Sequence, residues 1–159
     1  MIGKTIMRAA AIMVRAGGAG VFIDNSALAD GGELWLEMTE DGGIDALTFA
    51  FVGIVQNSTE MWTVGMHVLG LRDVVLKRAE VEKGFDLVDL IRSMARGDKP
   101  AGDGLILTNV NGSRFNWGAE DSDPRMVGTP MHNPFGRLRL AESLHFASKN
   151  QDATWEFIM

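Results

Sequence analysis

Nine consecutive residues, Leu47 to Val55 (L-T-F-A-F-V-G-I-V), are apolar on both alternations of a strand period. A strand of that composition has to be covered on both faces, so the run predicts a central strand inside a layered domain. Asn57-Ser58-Thr59 supplies a turn, and residues 61–69 read as a returning strand. That strand places Trp62, Val64, Met66 and Val68 on one side and Thr63, Gly65, His67 and Leu69 on the other. Gly70 to Asp73 interrupts it, and the stretch from Asp73 to Ala79 continues as a more exposed third strand.

Helical periodicity brackets these strands. Ile2, Ile6, Ala9, Ala10 and Met13 recur at helical spacing while Lys4, Arg8 and Arg15 take other angles, predicting an amphipathic helix over 4–16 that Gly17-Gly18 ends. A short strand at 20–23 and a second helix at 32–40 follow. Phe85 to Arg96 carries Leu87, Leu90, Ile91 and Met94 at helical intervals, acidic early and basic late as the helix dipole favours, with Gly97 as cap. Residues 105–110 and 114–118 flank Asn111-Gly112, a strong hairpin signal, and a last strand is expected at 137–141. The expected architecture is an α+β single domain, 1–146, with a largely antiparallel sheet and about three helices packed on it. Residues 147–159 form a tail whose Trp155, Phe157, Ile158 and Met159 should dock on the domain or on a partner subunit.

Composition removes several function classes. With no cysteine there is no disulfide, thiolate metal site or cysteine nucleophile. The 15 Lys+Arg against 21 Asp+Glu give a formal charge of −6, and the basic residues are scattered, which argues against nucleic acid or an anionic membrane as partner. The N-terminal apolar stretch is too short between Arg8 and Arg15 to span a bilayer and does not read as a cleavable signal, so a cytoplasmic protein is expected. No motif implies a cofactor. Gly3-Lys4-Thr5 lacks the strand and glycines of a phosphate-binding loop, Gly17 to Gly20 follows a helix instead of opening one, and Ser26 lacks the surroundings of a nucleophile elbow.

Candidate chemistry centres on two histidines. His67 beside Gly65 is either a packing histidine or an acid, base or metal ligand, with ligand space above the glycine. Its position on a packed face favours packing. His132 lies between Pro130 and Pro134, and M-H-N-P reads first as a rigid connection with Asn133 bonding its own turn, the alternative being that the extended backbone aims His132 and Asn133 inward. His67, His132 and Asp24 would together make a two-histidine, one-carboxylate metal set. Asn25 would line the same pocket. Asp103, in G-D-G, reads as a turn residue or as a ligand on a loop.

Three segments, V-F-I-D-N-S at 21–26, V-G-M-H-V-L-G-L-R-D at 64–73 and P-M-H-N-P-F-G-R-L at 130–138, with G-D-K-P-A-G-D-G at 97–104 between them, resemble the bacterial domain of unknown function family 4261. The resemblance implies no reaction. It does imply that relatives carry extra sequence before the first helix, leaving here an edge or face that dimerisation would cover. The expected function is a non-catalytic interaction module, as a homodimer or with another protein partner. The alternative is an enzyme or small-ligand or metal binder with a pocket around His67 and His132.

Overall fold

A computed structural model describes residues 2–79, 86–97, 106–108 and 114–142. Its elements are α1 (Ile2–Arg15), β1 (Gly20–Ile23), β2 (Leu28–Gly31), α2 (Gly32–Asp41), α3 (Ile44–Phe51), β3 (Gly53–Gln56), β4 (Glu60–Val64), β5 (Asp73–Lys77), α4 (Leu87–Arg96), β6 (Ile106–Thr108), β7 (Arg114–Glu120) and β8 (Arg137–Glu142). Short 3-10 turns occupy Met66–Leu69 and Pro124–Met126. The class is α+β, with four helices among the described residues instead of about three. Asp103, the Asn111-Gly112 turn and the tail at 147–159 lie outside the described residues.

Six strands form the main sheet in the order β3-β4-β5-β8-β7-β6. Two antiparallel meanders, β3-β4-β5 and β6-β7-β8, are joined through one parallel pair, β5 with β8, in the register Asp73↔Arg137, Val74↔Leu138 and Val75↔Arg139. Strand alternation then sorts the side chains. Val74, Leu76, Leu138, Leu140, Phe115 and Trp117 point to one face, where Leu87, Leu90, Ile91 and Met94 of α4 close a core over them. Asp86 caps α4, its Oδ1 accepting the backbone N–H groups of Val88 (2.9 Å) and Asp89 (3.1 Å). Asp86→Ala is expected to lower stability by about 1 kcal/mol, as N-cap removals do, measurable by urea denaturation.

The run at 47–55 is not a central strand. Residues 44–51 form α3, and only 53–56 form a strand. The run is apolar on every side, which suits a helix as well as a strand: Leu47, Ala50 and Phe51 are buried while Phe49 is 62% exposed, and an apolar pattern over nine residues cannot separate the two. Ile44, Leu47, Thr48 and Phe51 stand at helical spacing, and the Thr48 hydroxyl donates to the Ile44 carbonyl at 2.8 Å, satisfying in place the group that would otherwise disfavour a helix. α1, α2, α3 and the β1-β2 hairpin surround a second core of Met7, Ala11, Ile23, Trp35, Met38, Leu47, Ala50 and Phe51. Trp35 is fully buried there. Its Nε1 donates to the Met7 carbonyl at 3.1 Å, and its ring meets Phe51 edge-on with centroids 5.8 Å apart. An ion pair between Arg96 and Asp45 ties α4 to α3.

The first helix has two apolar stripes, and the structure buries the less obvious one. Gly3, Met7, Ala11 and Val14 face the core. The stripe expected to pack inward is outside: Ile2 is 72% exposed, Ile6 42% and Met13 74%, with Ile12 beside them at 67%. Gly3 explains the choice. A side chain there would press within 3.2 Å of Val68 and 3.5 Å of Leu47, so the glycine lets α1 lie close against α3 and the 3-10 turn.

Candidate functional site

Apart from Asp103, which lies outside the described residues, the residues singled out from the sequence converge on one end of the sheet, where the 24–27 turn, the 65–72 segment and the 130–136 connection meet. β4 stops at Gly65, whose φ of +93° turns the chain into the Met66–Leu69 3-10 turn. His67 therefore sits on that turn and not on a strand. A Cβ on Gly65 would lie 2.1 Å from the Phe51 carbonyl oxygen and 3.2 Å from the Ser26 Cβ. The space imagined above this glycine for a ligand is already filled by its own chain.

His67 is half-buried, with Nε2 3.3 Å from the amide nitrogen of Asn25. An amide N–H donating to Nε2 assigns the imidazole proton to Nδ1, which is buried without a hydrogen-bond partner among the described residues. Burial holds the His67 pKa below the ordinary imidazole value, and His132 lies near enough for its charge to press in the same direction. The two histidines do come into each other's field. Asp24 is exposed, and among the described residues no group of three or more His, Asp or Glu is placed to hold a metal ion, so the two-histidine, one-carboxylate set is not assembled.

Because its folded pKa is depressed, His67 stabilises the fold in neutral form above about pH 6.5, and that contribution is lost as pH falls through the folded value. Its NMR titration is expected to have a midpoint below 6.5, moving upward in His132→Asn. A midpoint unmoved by that substitution would show that the two rings do not sense each other.

Asn133 does bond its own turn: its Oδ1 accepts the Phe135 N–H at 2.9 Å. It also reaches 62 residues back in sequence, donating to the Leu71 carbonyl at 3.0 Å. Sequence reading missed its partner, Asp73. This carboxylate is buried at the start of β5, accepting from the Thr63 hydroxyl at 3.2 Å and the Met66 N–H at 3.3 Å. Burial pushes its pKa up to about 6, against hydrogen bonds from Asn133, Met66 and Thr63 that favour the charge. The signal was an aspartate opening an otherwise apolar strand, D-V-V-L, where a charge has no periodic reason to be.

On the sheet face away from α4, charged side chains alternate. Glu120 of β7 accepts from Arg137 (3.0 Å) and Arg139 (2.6 Å) of β8, and Arg139 reaches Glu60 of β4 at 2.6 Å. Asp123 pairs with Arg125 at 2.6 Å and Arg137 at 3.7 Å. Burial alone would raise the Glu120 carboxyl, yet the two arginines hold it below the usual range; Arg125 does the same for Asp123. Beneath the 122–133 connection these groups, with Trp62 and Asp73, enclose about 140 Å³. A more open groove of about 430 Å³ lies along Arg72, His132, Phe135 and Asp121.

No helix among the described residues is long and apolar enough to cross a membrane. No protein-family model matches the chain, and no curated protein or solved structure matches it at a significant level.

Proposed function

We propose that this protein acts by binding another polypeptide, without catalysis, and that α1 is the surface it offers. The observation that carries this reading is the exposed apolar stripe of Ile2, Ile6 and Met13 with Ile12 beside it. Other exposed apolar side chains, such as Phe22, Phe49 and Val127, lie on separate elements, as is common on soluble proteins; on α1 they are grouped. Two of the polar groups that invited a catalytic reading hold segments together, His67 with Asn25 and Asn133 with Leu71, as does the buried Asp73 with Thr63.

Membership of the domain of unknown function family 4261 and a cytoplasmic location belong to the same proposal. A photo-crosslinking amino acid replacing Ile6 or Met13 in living cells is expected to give a covalent adduct with another polypeptide; irradiation that yields none at either position rules the reading out.

A second reading, binding of a small ligand, is favoured by the groove beside His132. Arg72 and His132 share it with Glu120 and Asp121 beside the exposed ring of Phe135, a lining of both charges that suits a zwitterion bearing an aromatic group. Aromatic amino acids, which carry both charges, should then shift the His132 resonances, an effect lost in Arg72→Ala. Titrations that leave His132 unmoved exclude it.

A further inference from the structure

We infer that the partner covering α1 is a second copy of this chain, paired antiparallel through Ile2, Ile6, Ala9, Met13 and Ala16; this rests on the binding reading above and names its partner. The five residues follow one another at intervals of four, three, four and three, the spacing that keeps one seam of a helix facing another helix. All five are exposed. Ala9 and Ala16 are small, so a second backbone can approach closely between the larger side chains.

Charge placement favours a like partner. Lys4, Arg8 and Arg15 lie roughly 140° around the helix from the seam at 100° per residue, and Arg15 turns to Glu40 of α2 at 3.7 Å. Two copies of α1 therefore meet without bringing their cations together, and antiparallel pairing sets their macrodipoles head to tail. Area points the same way. At these exposures the seam and Ile12 present on the order of 500 Å² per chain, so two copies bury on the order of 1,000 Å², where specific interfaces begin.

The test is the solution mass of the full chain by light scattering, over a range of concentrations. Wild type should show twice the chain mass of 17.3 kDa. Ile6→Lys with Met13→Lys should show the single mass with an unchanged cooperative melt, because residue 6 of one copy faces residue 13 of the other. Ile6→Glu with Met13→Lys, which sets opposite charges across an antiparallel seam, should restore the double mass. Val88→Glu, an exposed change on α4, should keep it.

A wild type of single mass at every concentration overturns the proposal, as does a dimer indifferent to the lysine pair or a glutamate-lysine pair that stays monomeric. A lysine pair that no longer folds would mean the stripe packs within its own chain, which also overturns it. If wild type is monomeric and the crosslinker at Ile6 captures a different polypeptide, self-pairing fails and the binding reading stands. Monomer with no adduct removes both.

Discussion

Gly65→Ala is expected to lose about 3–5 kcal/mol, enough to unfold a domain of ordinary stability. Two costs add. An alanine held at φ +93° is strained by roughly 1–2 kcal/mol. Its Cβ would also stand 2.1 Å from the Phe51 carbonyl oxygen, and that atom belongs to the backbone at the end of α3, so relief requires moving the helix. Chemical denaturation monitored by tryptophan fluorescence measures the loss. Gly70→Ala is the control: Gly70 also has positive φ, at +79°, but a Cβ there meets nothing within 4 Å, so only the strain is expected. Equal losses at the two glycines would show that close packing against Phe51 contributes nothing.

Asp73→Asn is expected to make the protein more stable at neutral pH. The folded carboxyl has a pKa of about 6 against 3.8 in the unfolded chain. Below the unfolded value both states hold the proton. As pH rises through the window from 3.8 to about 6, the unfolded chain gives it up while the fold retains it, so wild-type stability falls. The accumulated penalty is on the order of 3 kcal/mol above that window. Asparagine has no proton to lose, and it can still accept from Thr63 and Met66, although its amide would face that of Asn133 and return part of the gain.

The stability difference between variant and wild type should therefore grow by about 2–3 kcal/mol between pH 4 and 7. Glu120 and Asp123 run the other way, since their depressed values make stability fall on acidification, but they act equally in both proteins and cancel in the comparison. Urea midpoints at four pH values would measure it. Parallel profiles for the two proteins would refute the assignment to Asp73.

Much of the fold was legible because local chemistry agreed with tertiary structure. The α4 stripe with its acidic start and glycine stop, the Gly17-Gly18 end of α1, and the strand beginning at Arg137 all stand where their residues place them. Two misreadings share one cause. Leu47 to Val55 is apolar on both strand alternations, so its pattern could not reveal a period, and α1 has apolar residues on two faces, so amphipathicity could not reveal which one packs. Steric fit decided both: Gly3 admits the close approach of α1, and Gly65 admits Phe51.

The site was legible in part. The sequence marked Asn25, His67, His132 and Asn133, which gather at one end of the sheet, because histidines and asparagines in apolar or proline-bound surroundings stand out. It did not mark Asp73, whose partners Thr63, Met66 and Asn133 come from three different segments. A network of that kind exists only after folding.

The parallel pair at the centre of the sheet has a kinetic consequence. Asp73 and Arg137 pair across 64 residues of chain, whereas each meander on its own side closes through nearer neighbours. Local hairpins form early and long-range pairings late. β5 and β8 are therefore expected to be the last line to close in folding. In native-state hydrogen exchange, amides along that line should exchange only with the whole core, because α4 packs on Val74 and Leu76 from one side and on Phe115, Trp117, Leu138 and Leu140 from the other.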